Sequence, residues 1–314
     1  MSGLCRVRDM TNHLWNAAVG FLSRRRGWTR AIVIGLYSFV VIALALGIWR
    51  ERAVVLQLLG RLTPRVLMGT FAIYSVDLML AVIVWYLIMA RLSGIKSFRL
   101  HFGVYCVTNL ARRLPGVLWH VVGRAYMYER EGISKATVSI GSVIESVLVP
   151  VSGVIVYFLS MPFRSQSGLI SPVWLVGVVV IGAILISPSF LNMLYNWMGR
   201  PGKIPVGYSN LLLWSAMFMV IWTVGGFITY FLAVAVEPSS STHVLYIISS
   251  WALAGSLSSL VVFLPTGLGL LEISLAVMLS QVMPLTSAVF VVVFLRLLLT
   301  SFEFIWGVIA LMLT

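Results

Sequence analysis

Long apolar runs, separated by short clusters of arginine and lysine, make up most of this chain. The pattern predicts six membrane-spanning helices, at residues 31–49, 66–90, 135–160, 172–186, 209–236 and 284–314. A run of about 20 apolar residues is long enough to cross the ~30 Å hydrocarbon core of a bilayer. The runs are continuous and do not alternate apolar with polar residues, which favours helices over a barrel.

Two further apolar segments are interrupted. Residues 102–128 contain a Leu-Pro-Gly break at 114–116, and residues 243–283 contain a Leu-Pro-Thr-Gly break at 264–267. The halves of the first segment are too short to span a bilayer unaided. Broken backbone is tolerated within a membrane only where protein or water lines it. We therefore predict that each segment is a re-entrant hairpin, which enters and leaves on one side.

The two interrupted segments follow one plan, which suggests a repeat with halves near residues 100–160 and 244–314. In each half the break is followed by a short loop and a long apolar helix, and Glu145 and Arg296 occupy corresponding positions on these helices. Counting spans puts the hairpins on opposite sides, as in the inverted repeats that frame mid-bilayer sites in transporters. We therefore expect Glu145 and Arg296 to approach each other near a pseudo-twofold axis.

Composition excludes an ordinary soluble domain. The 314 residues are 60% hydrophobic and only 10% charged, against about 25% charged in soluble domains. The predicted fold class is all-α: a polytopic integral membrane protein with about six spanning helices plus two re-entrant hairpins. Residues 1–30 form a basic cytoplasmic tail, and residues 31–314 form a single transmembrane domain.

The net charge of +13 reflects the positive-inside bias of membrane proteins. No soluble segment combines basic and aromatic residues in the way that nucleic-acid binding requires, so no nucleic-acid partner is expected. The arginine-rich tail predicts that both termini lie inside the cytoplasmic (inner) cell membrane. The basic loop at residues 50–65 would then lie outside, which opposes this orientation.

Ionisable residues inside apolar runs are the first candidates for function, because each costs roughly 2.5–3.5 kcal/mol on insertion scales. They are Asp77, Glu145, Glu272, Arg296 and Glu303. One interpretation is that they hold the helices together as ion pairs. The other is that they line a polar cavity for a charged headgroup, and the set as a whole favours this second interpretation.

Three arginines near the first break are the other candidates for substrate binding. Arg112 and Arg113 precede the Leu-Pro-Gly sequence, and Arg124 follows it. The planar guanidinium fork suits phosphate, and the helix that begins after Pro115 would add free N–H groups. The alternative, which is strongest for Arg124, is that these arginines only anchor the hairpin at the level of the lipid headgroups.

Several chemistries have no support in the chain. No Walker P-loop, zinc motif or Ser/His/Asp set is recognisable. We therefore expect no catalytic residues, no metal and no cofactor, and an enzyme is the less favoured class.

The order of motifs resembles the flippase-like transmembrane domain of the lysylphosphatidylglycerol synthase family. The residues that carry the resemblance are Leu114, Pro115, Gly116, Gly123, Arg124, Gly132, Ile133, Ser134, Glu145, Pro265, Gly267, Gly269, Glu272, Arg296 and Leu297. It spans the chain from about residue 30 to the end. Thr266 and Leu271 depart from the pattern, since glycine and arginine are common there, and the loss of the arginine weakens anionic recognition at the second hairpin.

The resemblance implies a stand-alone domain that moves lipids across the cytoplasmic membrane, without the aminoacyltransferase domain of the full synthases. The expected function is translocation of an anionic phospholipid or lipid-linked glycan, without an ATPase of its own. The alternative is a membrane-embedded glycosyltransferase, or an accessory subunit of one, that acts on lipid-linked sugars. A small-solute transporter is a third class. A synthase or glycosyltransferase partner and a homo-oligomer remain open.

Overall fold

A computed structural model describes residues 52–111, 119–160, 172–198, 203–260 and 269–313, which contain helices and no strand. The helices are α1 (Arg52–Gly60), α2 (Pro64–Ser93), α3 (Phe98–Ala111), α4 (Trp119–Arg130), α5 (Lys135–Ser160), α6 (Pro172–Leu185), α7 (Pro188–Trp197), α8 (Tyr208–Val236), a 3₁₀ turn (Pro238–His243), α9 (Val244–Leu260), α10 (Leu270–Leu279) and α11 (Leu285–Leu313). The predicted tail and the predicted helix at 31–49 lie outside the described residues.

Five helical stretches in the described part are long and apolar enough to cross a membrane. They are Pro64–Ser93, Lys135–Ser160, Tyr208–Val236, Pro238–Leu260 and Leu285–Leu313. Helices α6 and α7, bent by 56° at a short break, make a sixth if they count as one span. The fold is therefore that of an all-helical, multi-pass membrane protein. The stretch Pro238–Leu260 includes the first arm of the second predicted hairpin. The sequence pattern did not predict this arm as a spanning helix.

Helix α7 was missed, because residues 187–208 were interpreted as a loop rich in proline and glycine. Ser187 accepts a hydrogen bond from the backbone N–H of Phe190 (3.3 Å), and Pro188 occupies the first helical turn. A serine cap followed by proline is a recognised start signal for a helix. Leu191 anchors this short helix in the interior, where it is fully buried.

Two hydrogen bonds at opposite ends of the bundle show that α2 and α8 are antiparallel. Arg91 Nε donates to the carbonyl of Pro205 (2.6 Å) just before α8 begins. Arg61, just before α2, donates to the carbonyl of Val236, where α8 ends. We call these two places the Arg91 end and the Arg61 end.

Helices α3 and α4 pack against each other in an antiparallel hairpin. Near their outer ends, His101 and Tyr128 share a 2.6 Å hydrogen bond, and further inward Arg124 Nε donates to Thr108 Oγ1 (3.3 Å). Helix α3 follows α2 after a short turn at Gly94, whose φ of +77° is the left-handed cap that glycine favours. Both outer ends of this first hairpin therefore lie at the Arg91 end.

Helices α9 and α10 form a second antiparallel hairpin. Tyr246 Oη, near the start of α9, donates to the carbonyl of Met278, near the end of α10 (3.0 Å). Since α9 follows α8 through the 3₁₀ turn, the outer ends of this second hairpin lie at the Arg61 end. The breaks of both hairpins, at residues 112–118 and 261–268, lie outside the described residues.

Glycines allow the central helices to pack closely. A Cβ placed on Gly226 of α8 would lie 2.9 Å from the Cα of Ile248 on α9. A Cβ on Gly153 of α5 would lie 2.1 Å from Ser256 Oγ and 2.8 Å from the Ala252 carbonyl, both on α9. The Gly-Gly pair at residues 225–226 does therefore permit the close packing that the sequence predicted.

The last helix, α11, runs parallel to α2. Phe302 packs against Phe71 and Tyr74, and Trp306 Nε1 donates to Ser75 Oγ (3.1 Å). Residue numbers increase in the same direction on both helices, so α11 runs from the Arg61 end to the Arg91 end.

Candidate functional site

An arginine with no exposed surface lies at the centre of the first hairpin. Arg124 on α4 is 0% exposed, and its Nη1 forms an ion pair with Glu145 of α5, which is 4% exposed. Its Nε donates to Thr108 on α3, while its Nη2 is buried and has no hydrogen-bond partner. The side chain thus joins three helices and retains one unused donor.

Two aromatic rings cover the guanidinium of Arg124. Its Cζ lies 3.9 Å from the ring centroid of Trp85 and 4.7 Å from that of Tyr105. Tyr105 Oη also donates to Glu145 Oε1 (3.3 Å). Cation–π contacts are stronger where water is excluded, reaching about 2 kcal/mol or more. The rings therefore stabilise the charge and hold the plane of the guanidinium in one orientation.

A hydrogen-bonded chain supports this arrangement from the Arg91 end. Trp85 Nε1 donates to Tyr128 Oη (2.8 Å), and Tyr128 Oη lies 2.6 Å from His101 Nδ1. His101 Nε2 lies 3.0 Å from the Ile95 carbonyl, which can only accept. Nε2 therefore carries the proton of a neutral ring, and Nδ1 accepts from Tyr128. All three ring systems are buried, so the site is held by a preorganised support.

A second ion pair joins the second hairpin to the helix that follows it. Glu272, in the first turn of α10, pairs with Arg296 of α11. This pair is more open than the first, because the Arg296 side chain is 33% exposed and that of Glu272 is 20% exposed. Glu272 Oε2 is buried and has no hydrogen-bond partner. The second pair therefore retains an unused acceptor, where the first retains an unused donor.

The structure brings the predicted site residues together in two sets rather than one. Arg124 meets Glu145, and Glu272 meets Arg296, so each of the two repeat-related charges, Glu145 and Arg296, has an ion-pair partner within its own half. Glu303 is partly buried on α11. Arg112 and Arg113 lie outside the described residues.

Two contacts bear on these candidates. The guanidinium of Arg124 is fully enclosed by protein. Thr300, one turn after Arg296, donates to the Arg296 carbonyl within its own helix (2.8 Å).

Four residues of the first site were not predicted as members of it: Trp85, His101, Tyr105 and Tyr128. Each lies in an apolar helix where an aromatic residue is ordinary core, and only the packing of α2 against α3 and α4 brings them around Arg124. In the described ranges, no group of three or more His, Cys, Asp or Glu residues could hold a metal ion.

The fold and the charged pairs define a multi-pass helical membrane protein with charges buried between its helices. Comparison of the chain with known protein families, with curated protein sequences and with solved structures found no match.

Proposed function

We propose that the protein is a translocase for an anionic phospholipid or lipid-linked glycan in the cytoplasmic membrane, without its own ATPase. The observation that carries this proposal is the buried Arg124, whose Nη2 has no partner although Nη1 and Nε are both engaged. A buried donor without an acceptor is unfavourable. A phosphate oxygen of a headgroup is an acceptor that suits a guanidinium.

The charge of Arg124 is already balanced by Glu145, so this pair alone gives little attraction to an anion. In the proposal, Arg112 and Arg113, which adjoin the break in the sequence, supply that attraction, and Arg124 supplies a directed hydrogen bond. The Glu272–Arg296 pair, which is partly exposed, serves as the station at the second hairpin. The headgroup would move between these polar stations while its tails stay in lipid. The resemblance to the flippase-like domain of lysylphosphatidylglycerol synthases agrees with such a path.

We further propose that the two halves are inverted repeats with re-entrant hairpins. Each half has the order long helix, two short helices, long helix: α2 to α5 in the first and α8 to α11 in the second. The outer ends of the two hairpins lie at opposite ends of the bundle, which supports opposite orientations. In both halves an ion pair joins the second short helix to the long helix that follows. Such repeats commonly frame a transport site.

For orientation, we propose that the Arg91 end faces the cytoplasm. Basic residues are more numerous there, at Arg91, Lys96, Arg99, Arg130, Lys135 and Lys203, than at the other end, where the described residues include Arg61 and Arg65. Single cysteines at Gly116 and Gly267, in a background lacking Cys5 and Cys106, should react with impermeant reagents from opposite sides of the membrane. Reaction of both from one side would contradict the inverted arrangement.

Transport is tested with purified protein in liposomes that contain a fluorescent phosphatidylglycerol or a labelled lipid-linked sugar. An impermeant quencher then reports how fast the label exchanges between leaflets. The protein should speed this exchange without ATP. The double variant Arg112→Ala/Arg113→Ala should slow it several-fold without a change in thermal stability, because two positive charges that attract the headgroup are lost. Lys203→Ala, which removes an exposed charge elsewhere, is the matched control.

The alternative enzyme gives a different result in the same system. If no headgroup class moves, but the protein transfers sugar from a lipid-linked donor, the translocase proposal is wrong and the glycosyltransferase takes its place. Co-purification of a synthase or glycosyltransferase, or of a second copy of the chain, would identify a partner.

A further inference from the structure

Asp77 is an acid inside the bundle that neither ion pair uses. It lies near the middle of α2 (Pro64–Ser93), and its Oδ1 is buried without a hydrogen-bond partner. A Cβ placed on Gly225 of α8 would lie 3.6 Å from this oxygen and 2.8 Å from Trp251 Nε1 on α9. Gly225 has no side chain, which leaves a gap in the surface of α8. The carboxyl group of Asp77 therefore faces this gap, close to the edge of the Trp251 indole.

No countercharge reaches Asp77 from the helices around it. Helices α8 and α9, which border the gap, contain no Asp, Glu, Lys, Arg or His. The other helices in contact with α2 are α3, α4, α5 and α11, and their charged or titratable groups are Arg99, His101, Tyr105, Cys106, His120, Arg124, Tyr126, Tyr128, Glu129, Arg130, Lys135, Glu145, Tyr157, Arg296 and Glu303. In the described ranges, Asp77 forms no ion pair with any of them.

The contrast with Glu145 indicates which state Asp77 adopts. Glu145 is buried beside an arginine, so its negative charge has a countercharge within the pair. A carboxylate buried without a partner is far more costly, and such a group neutralises by taking up a proton. Intramembrane acids in this situation commonly belong to proton relays. A proton also gives Asp77 the donor that a carboxylate lacks.

Asp77 lies between the two ion pairs in depth. Trp85, which stacks on Arg124, is eight residues further along α2, or about 12 Å of helical rise toward the Arg91 end. In the opposite direction, Phe302 packs against Tyr74, and Arg296 precedes Phe302 on α11 by six residues, or about 9 Å toward the Arg61 end. A group moving from one pair to the other would pass the level of Asp77.

We propose that Asp77 is a proton-binding site that couples proton movement across the membrane to translocation. The coupling rests on the proposed transport function, whereas the proton site does not. Asp77 takes a proton from water at one end of the bundle and releases it to water at the other, so its charge alternates between neutral and negative. An imposed pH gradient would then drive the lipid in one direction, which supplies an energy source that does not depend on a nucleotide.

The proton site is tested on purified protein by infrared spectroscopy in H₂O and D₂O. At neutral pH the wild type should show the C=O band of a protonated carboxylic acid, with the expected isotope shift. Asp77→Asn, which keeps the shape of the side chain, should lose that band and stay folded. Glu131→Gln, at an exposed position, should keep it. An unchanged band in Asp77→Asn, or no such band in the folded wild type, would overturn the proposal.

Coupling is tested in liposomes that contain a labelled phosphatidylglycerol. With one proton carried in the same direction as each anionic lipid, transport is electroneutral, and a gradient of about one pH unit supports at most about tenfold accumulation in one leaflet. The wild type should show a gradient-dependent bias of up to that size, and Asp77→Asn should equilibrate the lipid without any bias. Transport that ignores the pH gradient, or follows a sodium gradient, would overturn the coupling. If the wild type moves no lipid at all, the transport function fails, while the infrared result still decides whether Asp77 binds a proton.

Discussion

Removal of the Glu145 carboxylate should destabilise the protein by about 3–5 kcal/mol, the usual cost of leaving one member of a buried pair without its partner. In Glu145→Ala the guanidinium of Arg124 remains fully enclosed and keeps its contacts with Thr108 and the two aromatic rings but has no carboxylate beside it. The cation–π contacts are present before and after the change, so they do not offset the loss. The hydroxyl of Tyr105 also loses an acceptor.

The double variant Arg124→Met/Glu145→Met should lose less stability than the sum of the losses in Arg124→Met and Glu145→Met measured separately. In the double variant no charge is left uncompensated. Glu129→Ala is the matched control. Glu129 pairs with Lys135 across the turn between α4 and α5 at 3.2 Å, but both side chains are more than half exposed (52% and 65%). Its removal should change stability by no more than about 0.5 kcal/mol.

The measurement is the free energy of unfolding, obtained by titrating a denaturing detergent into mixed micelles and following tryptophan fluorescence. A loss below about 1 kcal/mol for Glu145→Ala would mean that water reaches Arg124. Strict additivity in the double variant would mean that the two charges do not interact. Either result would refute the reasoning.

Two further predictions test the packing and the hydrogen-bonded support. Gly153→Ala should destabilise the protein by about 1–3 kcal/mol through overpacking, because the new Cβ would overlap Ser256 Oγ. Gly177 has open space around it, so Gly177→Ala should be neutral or slightly stabilising in the same unfolding assay. Tyr128→Phe should cost about 1–3 kcal/mol, because it leaves a buried indole N–H without an acceptor. The exposed Tyr126→Phe should cost little, and equal losses for the two tyrosines would argue against the buried chain.

The long helices were predictable because each combines a hydrophobic run with local start and stop signals. Helix α2 begins at Pro64 after a Thr63 cap and ends at Gly94, close to the predicted range 66–90. The hairpin helices α3 and α4 were also expected, since the break near Pro115 divides an apolar segment too short to span twice. Helix α7 is a local exception, because proline and glycine nearby obscured the signal at Ser187.

The pairing of charges could not be deduced from sequence pattern alone. Correspondence between the halves singled out Glu145 and Arg296 but did not predict their direct partners, and the observed pairs join consecutive helices within each half. Which acid meets which arginine depends on the rotation of each helix about its own axis. These helices are apolar on almost every side, so the sequence pattern gives little information about that rotation. The rings around Arg124 depend on the same rotations.

The pairing of consecutive helices has a consequence for how the protein is made. Arg124 and Glu145 are 21 residues apart in the chain, and Glu272 and Arg296 are 24 residues apart. Each arginine or glutamate would be costly to insert alone, by roughly 2.5–3.5 kcal/mol. Its partner is synthesised within seconds of it, on the next helix to leave the ribosome. Each ion pair can therefore enter the bilayer with its two charges balanced during translation, before the rest of the bundle exists.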